Sequence, residues 1–274
     1  MDIGRFQEIV EHNRSIMNQT TRVVKAFCDA MDINYYERKN FDNLFLRDLA
    51  HQKNIFSFYV PMKNKEVGAC CYHNEKMKYI LVNSAIPRAN MNFAFSHELY
   101  HAFSVEKDMT AMDIFLNDGF GNEEDERKAN AFAGVFLMPD TQVKRLWEKL
   151  KDEKDVLRKV LRISAFFGTP YVATLIRLTE INCLDQETKL VEELLAVNKE
   201  MIRESYEELS LEKSLLEPTW EDNYRGILYI VDGCAKRLVE EGYFKETDIE
   251  FYKSNLQQLY LNIREEKHVQ EISV

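Results

Sequence analysis

His97-Glu98-Leu99-Tyr100-His101 is the stretch on which the fold turns. Its two histidines stand four apart, and on an α-helix such residues share one face about 6 Å from each other, so both imidazoles can approach one metal ion from the same side. Glu98 is rotated out of that line, where it can reach a water on the metal rather than the metal itself. The reading requires a helix, and the surroundings agree: residues 90–105 have helical composition and no internal Gly or Pro. The alternative is a pair of ordinary histidines on the surface or core side of that helix.

Working upstream, Phe56-Ser57-Phe58-Tyr59-Val60, Val67 to Tyr72 and Tyr79-Ile80-Leu81-Val82-Asn83 are short β-prone runs, broken by Pro61, Gly68 and the polar His73-Asn74-Glu75-Lys76. They predict a small antiparallel sheet. Before it, Ile9, Ile16, Val23, Val24, Phe27 and Met31 recur at helical spacing between Ile3 and Asp32, and a second helical stretch runs from Phe41 to His51. Downstream, residues 106–122 are turn-rich and predict an irregular connection. A helix from Asn122 must stop at Pro139. Two further helical stretches, Val143 to Phe167 and Thr169 to Asn182, are separated by Gly168, and a Glu-, Lys- and Leu-rich helical tail divided by Pro218 completes the chain.

The composition suits a globular protein: 45% of residues are apolar and 30% charged, too hydrophobic for general disorder. A formal net charge of -10 disfavours direct nucleic-acid binding and suits a basic protein partner. Five cysteines (Cys28, Cys70, Cys71, Cys183, Cys234) show no CxxC spacing, so they read as reduced, mostly buried thiols. With no signal-peptide pattern and no long apolar run, a cytoplasmic protein away from the membrane is expected.

Two histidines do not complete a zinc site, which normally takes a third protein ligand and leaves the fourth position to water. The acidic cluster Glu123-Glu124-Asp125-Glu126 opens the next helix, where carboxylates are favoured by the helix dipole without any metal. Glu126 stands apart from that explanation. Asn130, one turn later, shares its face and is followed by Ala131-Phe132-Ala133, the small and apolar residues of a buried side. A Glu four residues before an Asn offers a ligand together with a group able to hydrogen-bond a ligating imidazole.

With these residues in view, the chain resembles the ImmA/IrrE type of metallopeptidases, zinc proteins of the bacterial cytoplasm and of mobile elements. The resemblance rests on Phe93 to His101, on Glu126-Arg127-Lys128-Ala129-Asn130-Ala131-Phe132-Ala133 running into Phe136-Leu137-Met138-Pro139, and on the strand Tyr79 to Asn83. It implies His97, His101 and Glu126 as ligands of one Zn2+ and Glu98 as catalytic base. Tyr100 stands where the family commonly has a small residue, and Lys128 where it often has Glu; neither is a proposed ligand. The fold so implied is α+β, a minimal zincin-like core in which the sheet packs on two zinc-bearing helices. The expected divisions are N-terminal helices over 1–50, the core over 51–142, a helix-turn-helix-like extension over 143–185 and a helical region over 186–274.

The implied chemistry is metal-assisted amide hydrolysis with Glu98 as the proton carrier. Tyr72 and His73 are the candidates for stabilising the oxyanion, and a peptide could add as a strand beside Val67 to Tyr72 if that segment lies at the sheet edge. The resemblance further implies a specific regulatory substrate, a helix-turn-helix repressor or an antitoxin. The competing readings are a zinc-stabilised protein that binds such a partner without cleaving it, and a DNA-binding regulator carrying a zinc fold. The second is weakened by the helix pair around Gly168, which has helix-turn-helix proportions but offers only Arg177 as a basic group on its second helix before Glu180. Cys70 and Cys71, adjacent in a strand, point to opposite faces and read as packing residues.

Overall fold

The computed structural model describes residues 1–34, 43–73, 78–104, 123–184 and 188–265. The chain opens on α1 (Ile3–Ala30), whose first turn is capped by the Asp2 carboxylate accepting from the Arg5 amide at 2.9 Å. α2 (Asn43–Gln52) leads into β1 (Ile55–Val60), β2 (Ala69–His73) and β3 (Lys78–Asn83), followed by α3 (Arg88–Ser104). The second core helix, α4 (Glu123–Leu137), is followed by α5 (Asp140–Lys149), α6 (Val156–Phe167) and α7 (Tyr171–Glu180). The tail comprises α8 (Thr188–Leu195), α9 (Lys199–Glu208), a 3₁₀ turn at Lys213–Leu216, α10 (Tyr224–Glu240) and α11 (Glu246–Ile263). The predicted connection over 106–122 lies outside the described residues.

The architecture is mostly helical with one small sheet, the α+β arrangement expected, but the sheet is mixed rather than antiparallel. Its order is β1-β3-β2: β3 runs parallel to β1, with Tyr59 opposite Val82, and antiparallel to β2, with Cys71 opposite Ile80. Strand composition does not encode direction. Here the residues between β1 and β2 cross over so that β2 and β3 form the hairpin while β1 takes the far side of β3. Buried Asn83 organises that crossover, accepting at Oδ1 from the Met62 and Ala85 amides and donating from Nδ2 to the Asn64 and Val67 carbonyls. All four hydrogen-bonding positions of its amide are thereby used. Gly68 then lets the chain pass over α3, since a Cβ there would lie 2.7 Å from that of Ala94.

The second correction concerns Val143 to Phe167, read above as one helical stretch. It is two helices, because Asp155 turns its carboxylate onto the Leu157 and Arg158 amides and starts α6 afresh. At the other end of α6, Gly168 adopts φ +62, and a Cβ there would also crowd the Asn92 amide at 3.1 Å.

One apolar core joins α1, the inner sheet face, α3, α4 and α6–α8. At its centre Phe27 of α1 meets Phe103 of α3 and Phe132 and Phe136 of α4 edge-on, with centroids 5.2–5.4 Å apart. Ala129 and Ala133, both fully buried, let α4 come close along α3. The tail straps the opposite side of the molecule: the Trp220 amide donates to the Ser84 carbonyl, and Asn223 exchanges two bonds with Tyr59 of β1. β1's outer edge is thus occupied, and among the described residues β2 is the edge with no strand beside it. No described helix is long and apolar enough to cross a membrane.

Candidate metal centre

α3 places His97 and His101 on one face, one turn apart, and α4 brings Glu126 across to them. His97 Nε2 lies 3.0 Å from Glu126 Oε2, His101 Nε2 lies 3.2 Å from His97 Nε2, and His101 Nε2 lies 3.4 Å from Glu126 Oε1. Zinc bonds of about 2.0–2.1 Å in a tetrahedral arrangement put ligand atoms about 3.3 Å apart. The three separations bracket that value. The side chains of His97, His101 and Glu126 are 13%, 23% and 39% exposed, so the group is partly open to solvent, most at Glu126. These three also form the one group of possible metal ligands found among the described residues.

The donor set fits a cation on electronic grounds as well. His97 Nδ1 is 3.0 Å from Asn130 Oδ1, which as a carbonyl oxygen can only accept, so the proton of a neutral imidazole resides on Nδ1. The Nε2 lone pair is then directed at a carboxylate and a second imidazole, an arrangement that needs a positive charge between its members. Without a metal, protons take that part. Burial opposes the charged form of His97, but the hydrogen bond to Glu126, with the charges of Glu98 and Glu126, outweighs it and raises the imidazole's pKa. Glu126 is held well below the usual carboxylate range, first by its hydrogen bond to His101 and then by that to His97.

Asn130 is exposed, so its bond to His97 is made at the rim of the site. Such outer partners orient a ligating imidazole and make it a better donor. Asn130→Ala is therefore expected to weaken metal affinity by ~10–100-fold. Competition with a chromophoric chelator measures this, and affinity unchanged within a factor of two would remove Asn130 from the site.

Glu98 lies on the sheet side of the histidine pair. Burial raises its pKa above the ordinary carboxylate value and Glu126 adds to the shift, while His97, His101 and the Cys71 backbone N–H, which it accepts, act in the opposite sense. The Cys71 contact is a feature that sequence reasoning missed, since a backbone donor leaves no mark on residue type. It ties the acid to β2, among the described residues the sheet edge with no strand beside it. The Cys71 thiol is pushed up to about 12, by burial first and then by the Glu98 charge, so it stays protonated and serves packing. Tyr72 is stacked on Tyr79, with centroids 5.1 Å apart, on the other face of β2 from Cys71, and the structure does not bring it to the metal group. The side chain of His73 lies outside the described residues.

Residues 38–179 match the family Peptidase_M78, described as the IrrE N-terminal-like domain. The chain belongs to this family. The match spans more than half of the chain and covers both helices that carry His97, His101 and Glu126. No curated protein matches the chain. The match also takes in α6 and α7, the helix pair around Gly168. There Arg177 is 1% exposed, its guanidinium donating to the Met138 carbonyl and paired with Glu180 and Asp140. The basic group considered for DNA contact is consumed inside this Peptidase_M78 chain.

Proposed function

We propose that this chain is a zinc-dependent peptidase in which His97, His101 and Glu126 hold the metal and Glu98 is the general base. The observation that carries the reading is the convergence of two imidazoles and one carboxylate at tetrahedral-edge spacing, with a half-buried glutamate beside them that accepts the Cys71 N–H of β2. A metal held there supplies Lewis acidity, polarising a carbonyl and acidifying water. Glu98 accepts the proton of the attacking water and returns it to the leaving amine. Its raised pKa brings it closer to the range in which a carboxylate can do both. A peptide laid antiparallel on β2 would present its carbonyls along the strand from which Cys71 reaches Glu98.

The proposed substrate is a regulatory protein, a helix-turn-helix repressor or an antitoxin. Its support is the family membership together with the net charge of -10, which suits a basic DNA-binding partner.

The deciding experiment is elemental analysis of the purified protein. About one zinc per chain is expected, and none in a His97→Ala, His101→Ala double variant that retains its helical circular dichroism. A wild-type protein that holds no metal and takes up none on addition would overturn the reading. Retention of zinc by the double variant would place the metal elsewhere.

A further inference from the structure

The hydrogen bonds at the end of β3 fix which way each backbone group of β2 points. The Asn83 amide donates to the Gly68 carbonyl at 2.9 Å, on the β2 side, and the Ser84 amide turns the other way, to the Val60 carbonyl of β1 at 3.1 Å. In an antiparallel pair the residues that exchange bonds recur at every second position. Along the register from Gly68 and Asn83 these are Cys70 with Leu81 and Tyr72 with Tyr79. Ala69 and Cys71 therefore direct their N–H and C=O groups away from β3, toward the side on which, among the described residues, β2 has no strand beside it. The Cys71 N–H is not used in the ladder. It is used by Glu98, whose carboxylate accepts it. The thiols of Cys70 and Cys71, on opposite faces of the strand, are pushed up to about 11 and about 12, by burial first and then, in both, by the Glu98 charge. A carboxylate felt on both faces of a strand sits at its edge.

We propose that the backbone N–H of Cys71 is a positioning group for the peptidase reaction proposed above, holding one oxygen of Glu98 on β2 and leaving the other for the attacking water. An ionised carboxylate has about four acceptor sites, so the two duties do not compete. A general base works only within hydrogen-bond reach of its proton, about 2.6–3.2 Å, and the torsions of a Glu side chain offer many ways out of that range. α3 fixes the backbone of Glu98, and the bond to β2 fixes the far end of its side chain. The same bond withholds the Cys71 N–H from a peptide lying on β2. Its loss should therefore slow turnover without weakening substrate binding.

Hydrogen exchange and kinetics on the full-length protein test the proposal. In isotope-labelled protein followed by nuclear magnetic resonance, Glu98→Ala is expected to speed exchange of the Cys71 amide by at least ~10-fold. The Tyr72 amide, which points to β3, should stay as protected as in wild type. Cys71→Pro removes the N–H itself. Proline is tolerated on an edge strand where the amide lies outside the ladder, and Cys70 before it is already extended. Cys71→Ala loses the same thiol and keeps the amide. With a helix-turn-helix repressor as substrate, kcat of Cys71→Pro is expected to fall ~10–100-fold below that of Cys71→Ala, with KM alike in the two.

A Cys71 amide that exchanges alike in wild type and Glu98→Ala overturns the proposal, whether or not Cys71→Pro folds. So does equal kcat in the two Cys71 variants. A KM raised at constant kcat in Cys71→Pro overturns it as well, because the N–H would then belong to the substrate. Failure of the peptidase reading looks different: a wild type that protects Cys71 from exchange but cleaves nothing removes that reading, and the positioning role with it.

Discussion

Glu98→Gln is expected to lower peptide cleavage by ~10²–10⁴-fold while leaving the bound zinc in place. Glutamine keeps the shape of the side chain and can still accept the Cys71 N–H through its amide oxygen, so the strand-to-helix contact survives. What it removes is the basic oxygen that takes a proton from water. Glu98 is not among the three groups whose donor atoms converge, so metal content should not change. The measurement is a paired one: the rate of cleavage of a helix-turn-helix repressor or antitoxin offered as the proposed substrate, and zinc per chain, for wild type and variant. Loss of zinc would make Glu98 a ligand and displace Glu126 from that part. Unchanged regulation of the partner by a cleavage-dead variant would favour a protein that holds its partner without cutting it.

The distribution of what was legible in the sequence has physical causes. α3 was readable because its chemistry and its period agree: HExxH is useful only with histidines one helical turn apart, and no Gly or Pro interrupts the run. Glu126 was readable for a similar reason, since Asn130 and the alanines after it record the close approach of α4 to α3. The two helices do approach that closely, with Ala129 and Ala133 fully buried. The three strands were readable from composition, but their directions were not. The parallel pairing of β1 with β3 depends on the path between β1 and β2, which is fixed by the four hydrogen bonds of Asn83, a residue whose type alone suggests only a turn. The break before α6 had a local signal in Asp155, a strong N-cap residue after the polar run Lys151-Asp152-Glu153-Lys154, masked by helical periodicity on both sides. The Cys71 amide and the interior position of Arg177 had no local signal. Both follow from which elements pack together.

Arg177→Ala is expected to destabilise the protein by about 3–5 kcal/mol, the range for removing one member of a buried ion pair. The size follows from what would be left behind. Glu180, whose side chain is 5% exposed, bonds Arg177 through Oε2 and accepts from Asn13 of α1 through Oε1 at 2.6 Å. Beside it, Arg14 of α1 donates to the Glu180 and Thr179 carbonyls that end α7. Without Arg177 the Glu180 carboxylate keeps an amide donor and loses its counter-ion, and the Met138 carbonyl between α4 and α5 loses its donor. The variant therefore leaves an uncompensated charge and an unpaired backbone acceptor in the interior. Replacing the pair together, as Arg177→Met with Glu180→Leu, removes the stranded charge and should cost less than the single change. Urea denaturation of the metal-free protein measures both without a contribution from bound zinc. A single variant that loses under about 1 kcal/mol would mean that water reaches Glu180 and solvates it. A double variant less stable than the single would mean that the cluster stabilises through its hydrogen bonds to α1 and Met138 more than through its charges, and the joint between α1, α5 and α7 would then be a hydrogen-bonded clamp rather than an ion pair.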